Sequence, residues 1–328
     1  MKIAVIGSGS WGCAASILLA KKGYDVFLWS WQQEETDRLA RDRENTLVLH
    51  GKKFPDNIIC SHDMALCVDS ADLIVTVAPS PATRTTAKQL APHVKAGQVI
   101  VNLSKGLEDG TLLRLSEVYK EEIPQATVAV MSGPSHAEEV SEFMPTTNVV
   151  AADSPEVAEY IQSIFMTDFF RVYTGSDIIG TELGGALKNV IALCAGICDG
   201  VGYGDNSRAA LITRGLAEIT RLGVKMGAKP ETFSGLSGVG DLIVTCTSMH
   251  SRNHRAGILL GKGYSLKETL DEIQMVVEGV NTIGAAYNLS KKYDVAMPIT
   301  TESYKILFEG KDPKHAVIDL MTRSKTSE

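Results

Sequence analysis

A lysine flanked by small residues offers the clearest acid–base chemistry in this sequence. Lys188 lies in the run GGALKNV at 184–190, whose apolar spacing predicts a helix. One face of that helix would carry Thr181, Gly184, Gly185, Lys188, Ala192 and Ala195. A groove of small residues can admit a ligand, and partial burial would lower the pKa of Lys188 toward neutrality, which suits a general acid–base catalyst. The alternative is a surface lysine above a helix–helix contact.

Two further charged residues could act with such a lysine. Lys105 follows the apolar run 99–103, where a buried strand would end at the ligand-binding edge of a sheet. Otherwise Lys105 caps a turn. Asp241 follows the glycine-dense stretch 235–240 and precedes an apolar run. It is either a buried carboxylate that orients a lysine ammonium or the N-cap of a helix.

Two polar segments could hold anions. Arg252, between Ser251 and Asn253, brings a guanidinium that can bind phosphate oxygens bidentately, and the alternative is a solvated basic turn. Gly133 and Ser135 occupy an expected strand-to-helix turn. The backbone N–H groups of that turn could hold a small anion or the nicotinamide amide, although an ordinary helix N-cap explains the same residues.

The amino terminus has the glycine spacing of a dinucleotide site. Strand-like residues 2–6 run into Gly7, Gly9 and Gly12, and a helix-like run follows from residue 13. Gly7 permits a tight strand-to-helix turn, Gly9 lets the backbone approach a pyrophosphate, and Gly12 allows close helix–strand packing. The free N–H groups at the helix start would face the phosphates. A plain glycine-rich turn is the alternative.

The positions of the apolar runs predict which elements bring these residues together. Short apolar runs alternate with helical stretches, which predicts an α/β domain with a Rossmann-type, parallel, doubly wound sheet over residues 1–178. The predicted strands cover 3–6, 26–29, 73–78, 99–103, 127–131 and 147–151. Helical periodicity then dominates, so residues 179–328 are predicted to form an all-α substrate-binding and catalytic domain. Its main predicted helices cover 178–198, 207–226, 266–273, 281–292 and 301–308, and the polar tail 322–328 is expected to fray.

Composition excludes several classes of protein. At 328 residues, 44% hydrophobic and 22% charged, the chain is large enough for two globular domains. Its net charge of −7 argues against a nucleic-acid partner, and no apolar run approaches the roughly 20 residues of a membrane span. The six cysteines lack His or Cys partners at metal spacing. We therefore expect reduced thiols in a cytoplasmic protein and no bound metal.

The order and spacing of the motifs, taken together, resemble those of one family. The motifs are GSGSWG (7–12), SKGLE (104–108), SGPSHAEE (132–139), LGGALKNVIA (183–192), ITRGLAEITRLG (212–223), GVGDLIVTCTS (238–248), SRNHR (251–255), VVEG (276–279) and MPIT (297–300). This set resembles the bacterial-type NAD(P)-dependent glycerol-3-phosphate dehydrogenases over nearly the whole chain. The resemblance implies reversible reduction of dihydroxyacetone phosphate to sn-glycerol 3-phosphate by hydride transfer from NAD(P)H. It also implies supply of glycerol 3-phosphate for phospholipid synthesis by a homodimer.

The resemblance further implies a role for each candidate residue. Lys188 would donate and accept the proton at the substrate C2 oxygen, with Lys105 and Asp241 beside it to position it and tune its charge. The substrate would contact Lys105, Gly133, Ser135, Lys188, Asp241, Ser251, Arg252 and Asn253. The dinucleotide would contact Gly7, Gly9, Ser10, Trp11, Gly12, Trp31, Lys105, Ala137, Arg252, Val276 and Glu278.

The cofactor preference stays open between NAD and NADP. The stretch Ser30-Trp31-Gln32 after the second predicted strand offers no acid to bind a ribose 2′-hydroxyl and no adjacent base to attract a 2′-phosphate.

Two other functions also stay open. A β-hydroxyacid or 6-phosphogluconate type dehydrogenase shares the glycine loop and a catalytic lysine, but the motifs at 238–248 and 251–255 argue against it. A non-enzymatic dinucleotide sensor is disfavoured because every candidate reacting residue is present.

Overall fold

The first part of the chain forms one eight-stranded sheet. The computed structural model describes residues 1–324, so the end of the predicted tail, residues 325–328, lies outside the described residues. The strands are β1 (Lys2–Ile6), β2 (Asp25–Trp29), β3 (Ile58–Ser61), β4 (Leu73–Thr76), β5 (Val99–Asn102), β6 (Thr127–Ser132), β7 (Thr146–Ala151) and β8 (Phe170–Gly175). They are ordered β3-β2-β1-β4-β5-β6-β7-β8. Each strand runs parallel to its neighbours in this order, except that β7 runs antiparallel to β6.

Helices connect the strands and then make up the rest of the described chain. Those among the strands are α1 (Ser10–Lys21), α2 (Gln33–Asp42), α3 (Met64–Val68), α4 (Thr83–Leu90), α5 (Leu115–Glu122), α6 (Ala137–Ser141) and α7 (Pro155–Phe165). Those that follow are α8 (Ile178–Val201), α9 (Asp205–Lys225), α10 (Asp241–Thr247), α11 (Arg252–Gly261), α12 (Leu266–Ile273), α13 (Glu278–Lys292), α14 (Pro298–Phe308) and α15 (Pro313–Met321). The predicted fold class, a Rossmann-type sheet followed by helices, is confirmed.

The strand order explains where a ligand can bind. The chain moves outward from β1 to β3 on one side of the sheet and from β4 onward on the other, so its direction of winding reverses between β1 and β4. Ile6 pairs with Thr76, and Thr76 pairs with Asn102, so the carboxyl ends of β1, β4 and β5 are level. Open α/β sheets bind ligands in the crevice beyond such ends, at the point of reversal.

Two predictions about the sheet are corrected. The apolar-run pattern misses β3 and β8, which are the two edge strands. The residues of β8 alternate between buried and exposed at its start, so they form no continuous apolar run. In addition, β7 runs antiparallel to β6, although the strand–helix alternation predicts parallel strands. The single helix between them, α6, has five residues, and a parallel crossover usually needs a full helix across the sheet face.

Helix α8 forms the centre of the helical part. By length and composition it could cross a membrane, but 89% of its 18-residue apolar window is buried inside the protein, as in the core helix of a globular domain. Helix α11 crosses α8 closely because both carry glycines. A Cβ on Gly196 would lie 2.0 Å from the carbonyl oxygen of His254, and one on Gly257 would overlap the backbone of α8. This contact places Arg252, at the start of α11, beside the helix that carries Lys188.

Candidate active site

Asp241 lies between two lysines at the junction of the sheet and the helices. Nζ of Lys105 donates a hydrogen bond to Oδ2 of Asp241 at 2.6 Å, and Nζ of Lys188 donates to Oδ1. Lys188 also donates to Oγ1 of Thr245 at 2.6 Å. Asp241 is 1% exposed and Lys188 is 6% exposed. Of the two possibilities for Asp241, the structure has the buried carboxylate that holds lysines, because Gly240 occupies the N-cap of α10.

The glycine-dense stretch before Asp241 forms a kinked turn that packs against α8. Residues 236–240 form a turn that leads into α10 and is kinked at Gly238, whose φ of −95° and ψ of −106° are not helical. A Cβ on Gly184 of α8 would lie 2.4 Å from the carbonyl oxygen of Ser237 in this turn. The missing side chain therefore lets the turn pack directly on α8, and this approach brings Asp241 to Lys188.

Burial and neighbouring charges determine the protonation of this lysine–aspartate cluster. Burial lowers the pKa of Lys188, Asp241 raises it, and Lys105 lowers it again, with a net value of about 8. Burial acts to raise the pKa of Asp241, but the charges of Lys105 and Lys188 outweigh it and bring that pKa below its usual value. The cluster therefore combines a stable carboxylate with an ammonium that can give up and regain a proton near neutral pH.

The loops that follow β5 and β6 meet at Lys105. Its Nζ donates to the carbonyl oxygen of Gly133 at 2.9 Å, and Oγ of Ser135 donates to the same oxygen at 2.9 Å. Gly133 has a φ of +146°, and a Cβ there would lie 2.5 Å from Oδ1 of Asn148. Only glycine adopts that backbone conformation without steric strain. Gly133 and Ser135 therefore lie with Lys105 at one edge of the sheet, where the predicted crevice brings them.

A chain of amide side chains connects this edge to the helices. Nδ2 of Asn253 donates to Oδ1 of Asn189 at 3.0 Å, and Oδ1 of Asn253 accepts from the backbone N–H of Gly279 at 2.8 Å. Asn189 in turn donates to the carbonyl oxygen of Lys105 at 3.4 Å. Sequence reasoning missed Asn189, although its place directly after Lys188 on α8 was a signal. The amide chain fixes the start of α11 relative to both lysines.

Arg252 begins α11 as a half-buried guanidinium. In the part of the chain that the structure describes, it makes no hydrogen bond or ion pair. Burial lowers its pKa, and the carboxylates of Glu278 and Glu138 act in the opposite direction. Ser251, directly before it, caps α11 by accepting a hydrogen bond from the backbone N–H of His254 at 3.2 Å. Uncommitted guanidinium donors beside a helix N-terminus suit an anion such as a phosphate.

Glu278 lies at the same edge and holds the turn that follows β4. Its Oε1 accepts from the backbone N–H of Ser80 at 3.0 Å, and its Oε2 accepts from the hydroxyl of Ser80. Burial raises the pKa of Glu278, while the bonds from Ser80 and the charge of Arg252 lower it in part. Val276, two residues earlier, is exposed, and Ala137 at the start of α6 is buried.

The glycine loop has the shape that a dinucleotide requires. Gly7 has a φ of +124°, and a Cβ on it would lie 2.9 Å from the carbonyl oxygen of Val77. A Cβ on Gly12 would lie 1.9 Å from the carbonyl oxygen of Gly7, whereas the space around Gly9 is open. Gly9 is the N-cap of α1 and brings no side-chain cap. The first N–H groups of α1 are therefore available to a pyrophosphate.

Two tryptophans flank this loop. Ser10 and Trp11 open α1, and the ring of Trp11 lies 6.4 Å from that of Phe170. Trp31, just beyond β2, is 72% exposed. Within residues 1–324, Trp31 makes no hydrogen bond or ring contact with the lysine–aspartate cluster. The candidate residues therefore form two groups, one around the glycine loop and one around the lysine–aspartate cluster.

An acid does lie at the end of β2, contrary to the sequence analysis. Glu35, in the first turn of α2, accepts hydrogen bonds from the hydroxyls of Ser30 and Ser8. Glu35 is not adjacent to the strand in the sequence, because it follows Ser30 by five residues and returns to the strand end through the turn of α2. A search one helical turn beyond the strand could have found it.

His136 is another polar residue near the cluster. Burial lowers its pKa, and the charge of Lys188 lowers it further. Its ring lies 5.7 Å from that of His250, and its Nε2 is buried without a hydrogen bond. His136 occupies the N-cap position of α6 but makes no side-chain cap, so the local sequence gave little sign of its burial.

Comparison with known proteins identifies the family. The family model described as NAD-dependent glycerol-3-phosphate dehydrogenase N-terminus matches residues 2–158, and its C-terminus counterpart matches residues 177–318. The chain belongs to this NAD-dependent glycerol-3-phosphate dehydrogenase family. It is 55% identical to the glycerol-3-phosphate dehydrogenase (NAD(P)+) of Moorella thermoacetica over 99% of this chain and 97% of that one. It is 53% identical to the Bacillus licheniformis protein of the same name over 100% of this chain and 96% of that one.

Solved structures agree with membership of the glycerol-3-phosphate dehydrogenase family. The glycerol-3-phosphate dehydrogenase of Coxiella burnetii is 38% identical, with a TM-score of 0.95 over 98% of this chain and 99% of that chain. A ketopantoate reductase family protein of Ralstonia eutropha, 14% identical with a TM-score of 0.63, shares the fold. The resemblance and the assignment as an NAD(P)-dependent oxidoreductase are confirmed, and the hydroxyacid and sensor alternatives are set aside. Within residues 1–324, no group of three or more His, Cys, Asp or Glu is placed to hold a metal.

Proposed function

We propose that this chain reduces dihydroxyacetone phosphate reversibly to sn-glycerol 3-phosphate, with Lys188 as the proton donor and acceptor at the C2 oxygen. The observation that carries this proposal is the buried lysine–aspartate cluster at the carboxyl edge of a dinucleotide-binding sheet. When bound, the nicotinamide supplies or takes up the hydride. The side chains of this protein bind, orient and protonate the ketone.

Lys188 handles the proton in this proposal. Negative charge develops on the carbonyl oxygen during reduction, and a buried ammonium both stabilises that charge and delivers the proton. A pKa of about 8 keeps Lys188 protonated at neutral pH yet lets it release a proton readily. Asp241 orients the Lys188 ammonium through Oδ1. Lys105 donates a hydrogen bond to Oδ2 of Asp241 and so places a second positive charge beside the site. Gly133 and Ser135 complete the substrate pocket.

Arg252 anchors the phosphate end of the substrate. Its uncommitted guanidinium and the helix start at Ser251 and Asn253 form an anion site on α11, close to the helix of Lys188. Binding energy at the phosphate, remote from the reacting carbon, would hold C2 in position for the reaction. The same residues would reject ketones that lack a phosphate.

The dinucleotide would lie over the glycine loop. The N–H groups at the start of α1 suit its pyrophosphate, and Gly9 leaves room for it. We assign the remaining contacts to Ser10, Trp11, Trp31, Lys105, Ala137, Arg252, Val276 and Glu278. We further propose a division into domains 1–178 and 179–328, a homodimer in the cytoplasm, and supply of glycerol 3-phosphate for phospholipid synthesis.

The experiment that tests the reaction follows the absorbance of reduced nicotinamide with dihydroxyacetone phosphate, in parallel with NADH and NADPH. We expect the absorbance to fall with at least one of the two cofactors. Unphosphorylated dihydroxyacetone is the matched substrate control and should react far more slowly. Tight binding of NADH with no turnover of dihydroxyacetone phosphate would refute the proposed reaction.

A further inference from the structure

Ser8, Ser30 and Glu35 form a hydrogen-bonded group beside the glycine loop. Oγ of Ser8 lies 3.1 Å from both Oγ of Ser30 and Oε2 of Glu35. The hydroxyl of Ser30 donates to the same carboxylate oxygen. Ser8 and Ser30 are buried, whereas the side chain of Glu35 is 21% exposed. The two buried hydroxyls therefore fix Oε2 of the Glu35 carboxylate. They make no hydrogen bond to its other oxygen, Oε1.

This group occupies the place where a Rossmann-type site recognises the adenosine ribose. Ser8 lies between the first two glycines of the loop, and Ser30 directly follows β2. The backbone N–H of Gly7 donates to the carbonyl oxygen of Trp29 at 3.1 Å, which joins the loop to the strand end. In many NAD sites an acid at this strand end accepts hydrogen bonds from the ribose. Glu35 brings a carboxylate to the same place from α2.

We propose that Glu35 sets the cofactor preference of this chain and favours NADH over NADPH. The proposal rests on the proposed function, because it takes the glycine loop as the dinucleotide site. Within residues 1–324, Oε1 of Glu35 accepts no hydrogen bond and its ion-pair partner Arg38 lies 3.8 Å away, so Oε1 can accept a hydrogen bond from a ribose 2′-hydroxyl. A 2′-phosphate would instead bring like charge against a carboxylate that Ser8 and Ser30 hold in place.

Arg38 is the cation that a 2′-phosphate would need. Its Nη2 lies 3.8 Å from Oε1 of Glu35, and its Nε is buried without a hydrogen bond. While Glu35 is charged, it offsets much of the positive charge of Arg38. Replacement of Glu35 by glutamine would remove the repulsion and leave the Arg38 charge uncompensated. NADPH would then gain affinity.

The test is direct binding of each cofactor without substrate, read from the fluorescence of reduced nicotinamide. Glu35→Gln preserves the size of the side chain, and Glu34→Gln is the matched control, because Glu34 is an exposed acid in the same first turn of α2. We expect wild type to bind NADH more tightly. In E35Q the ratio of the NADPH to the NADH Kd should fall by at least about 10-fold, and in E34Q by less than about 2-fold. Arg38→Gln in the E35Q background should reverse the gain of NADPH.

Two results would overturn the proposal for Glu35. One is a Kd ratio in E35Q equal to that of wild type, and the other is tighter binding of NADPH than of NADH by wild type. Circular dichroism of each variant verifies that it is folded. Because binding is measured without turnover, the outcome is separate from the proposed reaction. A chain that shows the expected ratios but does not reduce dihydroxyacetone phosphate would refute the reaction and retain the role of Glu35.

Discussion

Lys188 and Asp241, which are 53 positions apart in the chain, form an ion pair inside the protein. Removing both charges from water is costly, and such a pair persists only where hydrogen bonds satisfy both partners. Here Thr245 accepts a second bond from Lys188, and Lys105 donates to the second carboxylate oxygen. The pair therefore lowers the cost of burying an ammonium without removing the ability of that ammonium to titrate.

Replacement of Lys188 by alanine tests its role as proton donor. We expect kcat to fall by about 10²–10⁴-fold, the usual contribution of general acid–base catalysis. The Kd of NADH should change little, because the glycine loop lies apart from the cluster. The control is Lys267→Ala on α12, a lysine whose side chain is 85% exposed. Turnover of the Lys188→Ala variant near the wild-type rate would remove Lys188 from the reaction.

The pKa of Lys188, about 8, predicts opposite pH profiles for the two directions of the reaction. Reduction of the ketone needs the ammonium, so its kcat should fall as the pH rises through about 8. Oxidation of the alcohol needs the neutral amine, so its kcat should rise over the same range. Measurement of kcat against pH in both directions checks this. Profiles that move in the same direction through that range would contradict the assignment.

Replacement of Asp241 by asparagine tests whether Asp241 controls the protonation of Lys188 as well as its position. Asp241 raises the pKa of Lys188, while Lys105 lowers it, so the variant should lower the pKa of Lys188 further. The falling limb of the reduction profile should therefore move to more acidic pH, which a merely structural defect would not produce. Loss of one partner from a buried ion pair should also cost about 3–5 kcal/mol of unfolding free energy in a denaturant titration.

The matched control for Asp241→Asn is Asp271→Asn on α12, where the aspartate is exposed and pairs with Lys267 at the surface. It should change stability by less than about 1 kcal/mol and leave the pH profile in place. An unchanged profile in the Asp241→Asn variant would show that Asp241 does not influence the protonation of Lys188.

Arg252→Ala tests the phosphate site on α11. We expect the KM for dihydroxyacetone phosphate to rise by about 10–100-fold, because a charge-assisted bond to phosphate contributes about 1.5–3 kcal/mol. Turnover of unphosphorylated dihydroxyacetone is the internal control and should change little. An equal loss with both ketones would mean that Arg252 acts on the fold or on the cofactor instead of on the phosphate.

Local pattern in the sequence predicted the features that depend on neighbouring residues. The glycine loop and the small-residue face around Lys188 are examples, since each is contained in a few turns of chain. The contact of Lys105 with Asp241 joins residues 136 positions apart, so the sequence indicated a lysine as the partner of Asp241 without indicating which one. Glu35 was missed because the turn of α2 returns it to Ser30. Strand β8 was missed because an edge strand need not be apolar.

The close packing of α13 against the site predicts opposite effects for two glycine substitutions in one helix. A Cβ on Gly279 would lie 2.7 Å from the carbonyl oxygen of Asn189 and 2.9 Å from Oδ1 of Asn253. Gly279→Ala should therefore push the amide chain apart and lower both stability and kcat. The space around Gly284 is open, so Gly284→Ala should raise the unfolding free energy by up to about 1 kcal/mol through helix propensity alone.

Thermal unfolding of both variants, together with their kcat, checks this contrast. Gly279→Ala should melt at a lower temperature than wild type and turn over more slowly, because Asn189 and Asn253 connect Lys105 to the start of α11. Gly284→Ala should melt at the same temperature or higher and keep its kcat. Equal effects of the two substitutions would mean that α13 does not hold the amide chain in place. The active site would then depend on α8 and α11 for its geometry.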